Sequence, residues 1–278
     1  MEVSIVVNHY RSPQVLKLAL SYVQAWQRSY EAEHGSGTTE IIVTDSATIT
    51  ETREMMAASY PSIKFLTDPA NIGFGRSVNR ALRKAKGTFI FMMNADFVIP
   101  EPHQLDVLLE YIRHHQDVGM VGPRLRNFDD SHQPSAFRFY TPLMILLRRS
   151  PLGKTPWGKR RVAEFTLSGD ERLMKEPTPV DWLMGSALLT RKEYLARVGL
   201  FDERFFMYME DTDLCRRFWE AGLKVIYHPG STMYHFHGKA SKSKNPFGAL
   251  LNKYARIHLI SAYKYFRKYG LKTPRYGV

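Results

Sequence analysis

The chain is predicted to be an α/β domain built on a mainly parallel, Rossmann-like sheet flanked by helices, and three observations carry that prediction. Apolar runs of strand length recur at residues 3–7, 40–44, 63–66 and 89–93, stretches with helical periodicity separate them, and polar or acidic residues follow three of the four runs. Repeated strand–helix units of this kind demand crossover connections, and a sheet so built binds ligands beyond the carboxyl ends of its strands.

The elements follow in order. Residues 3–7 form the first strand. After Pro13 the apolar positions Val15, Leu18, Ala19, Tyr22, Val23 and Trp26 recur at helical spacing. A strand at 40–44, a helix at 51–58 and a strand at 63–66 come next. The following helix, 75–86, turns Val78, Ala81, Leu82 and Ala85 inward, with Gly87 as its stop. Phe89 to Met93 is a buried strand running into the acidic turn Asn94-Ala95-Asp96. The polar residues expected at the binding edge are Asn8 and His9, Asp45, and Asn94 with Asp96.

Between residues 127 and 179 no period is sustained, and the stretch reads as a long, partly ordered connection that carries a substrate lid. Order returns with a strand at 180–189, a helix at 191–198, a helix at 211–221 closed by Gly222, and a strand at 224–227. Residues 247–268 place Leu250, Leu251, Tyr254, Ile257, Ile260 and Ser261 on one face, with Lys253, Arg256, Lys264, Arg267 and Lys268 beside it. This basic amphipathic helix has two readings, a packed helix with a solvated cationic face or a contact with a membrane surface.

Composition narrows the function classes. The 278 residues carry a formal net charge of +12, which favours anionic partners without choosing among them. The single cysteine, Cys215, excludes an internal disulfide, suits a reducing compartment and is expected to pack as a small apolar residue. The basic residues are spread along the chain without a nucleic-acid motif, so no nucleic acid is expected as partner. Residues 1–8 read as a first strand rather than a leader, and no apolar run reaches the roughly 18 residues of a membrane span; the longest, Leu143-Met144-Ile145-Leu146-Leu147, ends in Arg148-Arg149.

The densest chemistry lies at Glu210, Asp211 and Asp213, where a helix is expected to start. Carboxylates so close repel one another unless the helix terminus, Arg216, Arg217, a metal ion or a substrate proton compensates them. Helix geometry forbids all three from facing one way, so one is expected to enter a cleft while Asp213 stays with the helix end or Arg216.

Five short motifs in one order carry a resemblance: Ile41-Ile42-Val43-Thr44-Asp45-Ser46-Ala47, Asn71-Ile72-Gly73-Phe74-Gly75 with Asn79, Asn94-Ala95-Asp96, Val180-Asp181-Trp182-Leu183-Met184-Gly185-Ser186, and Phe201-Asp202-Glu203-Arg204-Phe205-Phe206 leading into Glu210-Asp211-Thr212-Asp213. Together they resemble nucleotide-sugar glycosyltransferases of the GT-A fold, in the rhamnosyltransferase-like branch of family two. Two departures stand out. Thr44 occupies a position where the family usually has Val-Asp, and Asn94 replaces the first Asp of the acidic turn.

The resemblance implies an inverting, single-displacement sugar transfer with Asp211 as base. It implies donor contacts from Asn8, Tyr10, Asp45, Asn71, Gly73, Phe74, Asn79, Asn94 and Asp96, and acceptor contacts from Trp182, Gly185, Ser186 and Glu210. A divalent metal, Mg²⁺ or Mn²⁺, is implied at Asp96 with His235, and His237 in reserve; Asn94 in place of Asp lowers the expected metal affinity. The donor implied is a dTDP- or UDP-sugar, plausibly dTDP-rhamnose, and the acceptor a glycan or lipid-linked sugar of cell-envelope polysaccharide, handled on the cytoplasmic side of the membrane. The expected organisation is a domain at 1–244, with a nucleotide-binding half at 1–100 and an acceptor half at 101–244, followed by a helix and tail at 245–278. Two competing functions are a sugar-phosphate nucleotidylyltransferase and a non-catalytic polyanion-binding module. The first would want a Gly-rich loop after the first strand, where Asn8-His9-Tyr10-Arg11-Ser12-Pro13 has no Gly; the second rests on charge alone.

Overall fold

The structure, a computed structural model, describes residues 1–236 and 252–277. The expected alternation is present: β1 (Val3–His9), α1 (Pro13–His34), β2 (Thr39–Ser46), α2 (Thr50–Ser59), β3 (Lys64–Asp68), α3 (Phe74–Leu82) and β4 (Phe89–Asn94). These four strands pair in parallel in the order β3-β2-β1-β4, with Val3 opposite both Thr39 and Phe89. Successive side chains of a strand face opposite sides, and the burial follows. Ile5, Val7, Phe91 and Met93 pack on one face with α1, while Val6, Ile90 and Met92 pack on the other with α3.

After β4 come β5 (Phe97–Val98), α4 (His103–His114), β6 (Val118–Arg126), β7 (His132–Gln133), β8 (Ala136–Phe137), α5 (Pro142–Arg149), α6 (Pro156–Phe165) and α7 (Arg172–Lys175). The remainder is β9 (Thr178–Pro179), β10 (Trp182–Leu183), β11 (Ala187–Arg191), α8 (Lys192–Val198), α9 (Glu210–Glu220), β12 (Lys224–His235) and a C-terminal helix, Lys253–Tyr269. β11 enters antiparallel between β4 and β6, and β12 runs parallel to β6 and antiparallel to the two-residue β5.

Several expectations are corrected. The stretch 127–179 holds three helices and three short strands rather than an irregular connection; α5 and α6 each start at a Thr-Pro pair, where Thr141 and Thr155 accept hydrogen bonds from the N–H groups of Met144 and Gly158. The strand expected at 180–189 is cut in two, because Trp182 and Leu183 pair with β8 while Ala187 onward pairs with β4. The buried stripe of α1 is Leu16, Ala19, Leu20, Val23, Trp26 and Tyr30, and Leu18 faces solvent. Gly87 does not stop α3, which ends at Leu82; a Cβ there would sit 2.5 Å from the Ser4 backbone nitrogen, so the residue permits close approach to β1.

The C-terminal helix docks on a different face from the one expected. Ala255, His258, Ser261, Ala262 and Tyr265 are buried, while Ile260 is exposed; residues 247–251 lie outside the described residues. Its attachment is largely polar. Asp213, fully buried on α9, accepts from Arg217 (2.9 Å), Lys268 (2.5 Å) and the Tyr269 hydroxyl (2.8 Å), and Ser261 donates to the Met207 carbonyl. Removing Asp213 would leave Lys268 with Asp202 alone (3.0 Å) and Arg217 with backbone carbonyls only. Asp213→Ala should therefore cost about 3 kcal/mol, at the low end for a buried pair because Lys268 keeps some solvent. Urea unfolding checks this, and a loss below about 1 kcal/mol would show that the helix is held by its apolar face instead.

Candidate active site

A cleft of about 330 Å³ opens where β1, β2 and β4 end, walled on its far side by the 184–186 turn, the 207–208 segment and the start of α9. Its construction follows from backbone bonds. The Asn94 N–H donates to the Ser186 carbonyl (3.1 Å) and the Ala95 N–H to the Asn8 carbonyl (2.9 Å), which fixes the end of β4 against both neighbours. The Phe74 N–H donates to the Phe206 carbonyl (2.9 Å), and a Cβ on Gly73 would lie 2.4 Å from that oxygen. Gly73 also has a φ of +87°, so it is required both by conformation and by space. Asn71 holds the approach to this turn by accepting from the Gly73 N–H at 2.9 Å.

The acidic end of α9 enters this cleft. Tyr208 and Met209 both have left-handed backbones, φ +68° and +69°, and aim the first turn of the helix inward. Neither is glycine, and such residues cost roughly 1–3 kcal/mol each, a strain concentrated at functional sites. Arg11 and Ala47, just beyond β1 and β2, share the conformation. The Asp211 carboxylate accepts from the Gly185 N–H (3.0 Å) and the Thr212 N–H (2.8 Å). Burial pushes its pKa above the ordinary carboxylate value, and those N–H groups oppose the rise. Glu210 is buried with Oε2 lacking a hydrogen-bond partner among the described residues. Burial, and then the Asp211 charge beside it, push its pKa well up. Both carboxyls thus have raised pKa values, and backbone donors restrain the rise at Asp211.

Across the cleft, β5 pairs with β12 so that His235 lies opposite Phe97, which brings the His235 Nε2 to 3.4 Å from Asp96 Oδ1. The Gln133 amide contacts the His235 Nδ1 at 3.0 Å. Asp96 and His235 present an oxygen and a nitrogen donor 3.4 Å apart, a set that would suit a divalent cation such as Mn²⁺ better than the oxygen-preferring Mg²⁺. Among the described residues no cluster of three such side chains exists, and the cleft is lined by no Lys or Arg. A diphosphate placed here would meet carboxylates without a cationic side chain, so the donor set and the charge both fit a divalent cation. His237 and the lysines at 239, 242 and 244 lie outside the described residues.

The structure brings Asn8, Tyr10, Asn71, Gly73, Phe74, Asn94, Asp96, Gly185, Ser186, Glu210, Asp211 and His235 to this one cleft. It places three candidates elsewhere. Asp45 is fully buried and accepts from His9 Nδ1 at 2.9 Å; the other ring nitrogen of His9 accepts from the Ser12 N–H, so His9 stands between Asp45 and the cleft. Asn79 bonds both the N–H and the C=O of Phe201 and braces the loop before α9. Trp182 is a core residue, stacked on Phe137 at 4.4 Å with its indole N–H donating to the Arg138 carbonyl. Ser46, Met207, Tyr208 and Tyr254 line the cleft without having been singled out. For Tyr208 the signal was available, as an aromatic two residues before the acidic cluster.

Within the cleft, Ser46 Oγ, Asn94 Oδ1, Ser186 Oγ and Glu210 Oε2 are buried without hydrogen-bond partners among the described residues. Each such group costs about 1–3 kcal/mol unless something answers it, and their clustering marks a ligand site.

A parallel sheet with polar strand ends, an acidic turn and an inward acidic helix defines the GT-A class of sugar-transferring enzymes. A family model described as "Glycosyltransferase like family 2" matches residues 3–256, and the chain belongs to that family. It is a glycosyltransferase of rhamnosyltransferase-like type. The N-acetylglucosaminyl-diphospho-decaprenol L-rhamnosyltransferase of Mycobacterium tuberculosis is 30% identical over 237 residues, 80% of this chain and 74% of that protein. The rhamnosyltransferase WbbL of Escherichia coli K12 is 28% identical over 213 residues, 73% of each chain. Among solved structures, Staphylococcus aureus TarS 1–349 superposes with a TM-score of 0.60 at 16% identity, over 85% of this chain and 60% of that one. The mannosyltransferase PcManGT of Pyrobaculum calidifontis, in complex with GDP-Man and Mn²⁺, gives 0.58 at 17% identity over 94% and 71%. At these identities the structures establish the fold alone.

The raised pKa of Glu210 has a consequence for stability. Above the ordinary value of 4.5 and up to the raised one, the folded protein holds a proton that the unfolded chain has released, so stability falls as pH rises through that window. Glu210→Gln removes the group. Its Tm should exceed that of the wild type at pH 7 by about 2–4 °C, the shift given by roughly 1 kcal/mol in a chain of this size, and match it below pH 4. Scanning calorimetry at both pH values decides the matter, and a lower Tm at pH 7 would show Glu210 to be ionised and paired.

Proposed function

We propose that the protein is an inverting glycosyltransferase that moves a sugar, L-rhamnose carried on dTDP, to a glycan or lipid-linked acceptor in cell-envelope polysaccharide assembly. The observation that carries this reading is Asp211, a backbone-held carboxylate at the inner wall of the cleft, facing strand ends whose polar groups await a ligand. The two bacterial relatives named as rhamnosyltransferases, one of them acting on a decaprenol-linked sugar, support the choice of sugar and acceptor class.

In this reading residues 1–100 serve the donor and 101–244 mainly the acceptor. Asn8, Tyr10, Asn71, Gly73, Phe74 and Asn94 contact the nucleotide sugar, while Asp45 acts through His9 and Asn79 through the loop it braces. Asp96 and His235 would hold a divalent cation, which supplies charge neutralisation for the departing diphosphate. Gly185, Ser186 and protonated Glu210 bind the acceptor, and Trp182 supports their turn from behind. Asp211 takes the proton of the acceptor hydroxyl as that oxygen attacks the anomeric carbon from the face opposite the diphosphate. The new glycosidic bond forms as the bond to the diphosphate breaks, which inverts the anomeric centre. Because the base must be ionised and its pKa is raised, the acidic limb of the kcat/KM profile lies above the ordinary carboxylate range. The C-terminal basic helix adds contact with the inner face of the cytoplasmic membrane. Among the described residues no helix is long and apolar enough to cross a membrane.

Asp211→Asn keeps size and removes basicity. It should lower kcat by about 10²–10⁴-fold while leaving nucleotide affinity unchanged, and near-normal turnover would eliminate the assignment. Thermal stabilisation by dTDP, UDP, GDP, CDP and ATP, each with and without Mn²⁺, tests the donor. At 100 times its Kd a bound nucleotide adds about 2.7 kcal/mol, so dTDP with Mn²⁺ should give the largest rise, and Asp96→Asn should erase the part due to Mn²⁺. Absence of any nucleotide effect would remove the nucleotide-sugar reading.

A further inference from the structure

The α5–α6 hairpin carries an apolar surface that the cleft does not use. Leu143 and Leu146 on α5, Leu152 in the 3₁₀ turn Pro151–Lys154 and Trp157 at the start of α6 are 43%, 53%, 49% and 50% exposed. They belong to one compact unit, since α5, the turn and α6 all pack on one another. Their neighbours are cationic. Lys154, Lys159, Arg160 and Arg161 are exposed on the same hairpin, and its one carboxylate, Glu164, is shared by Arg160 (3.3 Å) and Arg161 (3.0 Å). Among the described residues no carboxylate pairs with Lys154 or Lys159. Exposed leucines and a tryptophan on a hairpin whose cations outnumber its one carboxylate complement an anionic lipid–water interface, where the indole sits at headgroup depth and basic side chains reach phosphates.

We infer that the α5–α6 hairpin is a membrane-docking element that inserts Leu146, Leu152 and Trp157 among anionic lipid headgroups. Its position suits the cleft. Arg149 at the end of α5 donates to His258 (3.1 Å), and His258 packs edge-on against Tyr208 in the cleft wall, so the docked face and the acceptor side are joined through one contact chain. The inference deepens the membrane part of the proposed function, and rests on it only for the expectation that the acceptor is held in a bilayer.

The test is partition of the full chain onto vesicles of equal parts phosphatidylglycerol and phosphatidylcholine, compared with pure phosphatidylcholine. Partition is read by co-sedimentation with the vesicles, and in the wild type the emission of the exposed Trp157 should also shift to the blue on the anionic vesicles and not on the neutral ones. L146E/W157E and, separately, R160E/R161E should each weaken partition by about 10-fold or more while keeping the wild-type Tm and the nucleotide-induced stabilisation. Unchanged partition of L146E/W157E, or equal binding to neutral vesicles, overturns the inference. So does a concentration-dependent dimer that L146E/W157E dissolves in the absence of vesicle binding, since the patch would then be covered by a second copy. Loss of vesicle binding with nucleotide stabilisation intact separates this surface from the reading of the cleft.

Discussion

Three carboxylates can share the first turn of α9 only because three separate parts of the chain answer them differently. Asp213 is neutralised from below by Arg217, Lys268 and Tyr269, which also ties down the C-terminal helix. Asp211 is met by the backbone of the 184–186 turn, and burial, with the Asp211 charge beside it, pushes the Glu210 pKa well up. Had all three been paired with cations, the helix end would be inert. Had none been, their mutual repulsion would have opened it. The division of labour leaves one ionisable carboxylate facing the cleft, and the left-handed Tyr208 and Met209 are the strain accepted to point it there.

The other wall is the consequence of one topological feature. β11 runs antiparallel beside β4, so the turn that precedes it, 184–186, arrives at the same end of the sheet as Asn94 and Asp96. The Asn94 N–H to Ser186 carbonyl bond is the clasp, and the Gly185 N–H then points across to Asp211. The strand-end residues and the start of α9 meet because this short turn bonds to both. A Cβ at Gly185 would stand 3.2 Å from the Asp211 Cβ, so a side chain there would press on the carboxylate it now holds.

What could be read from the sequence was local, and what could not was a product of distant pairing. The parallel strands were legible because each buries alternate faces and therefore shows as an uninterrupted apolar run, and Asn8, Asn94 and Asp96 followed as polar residues at strand ends. α5 and α6 are short, and their starts were announced only by Thr141-Pro142 and Thr155-Pro156, signals easily lost in a stretch without periodicity. The break at Gly185 is invisible in an apolar run, since it is imposed by β8 and Asp211 from elsewhere in the chain. Asp45 has the place of a ligand residue, yet His9, directly opposite it on the neighbouring strand, takes its carboxylate. The C-terminal helix misled by its apolar stripe, because the face it docks is settled by Ser261, Lys264 and Lys268 bonding to carbonyls and carboxylates.

The charge of the protein and the charge of its cleft have opposite signs, and that contrast bears on how a nucleotide sugar is held. The chain as a whole is strongly cationic, but among the described residues the cleft offers Asp96, Asp211, Glu210 and His235 and no Lys or Arg. A diphosphate drawn in by the long-range field would be repelled at contact unless positive charge accompanied it. The raised pKa of Glu210 and the neutral amide of Asn94 both lessen the cleft's negative charge. Asp96 lies beside His235, and Asp211 stands on the opposite wall, held by the Gly185 N–H. Asp96 and Asp211 each have a partner, a histidine for one and backbone N–H groups for the other, and Glu210, whose Oε2 has none among the described residues, is the one whose pKa is pushed well up.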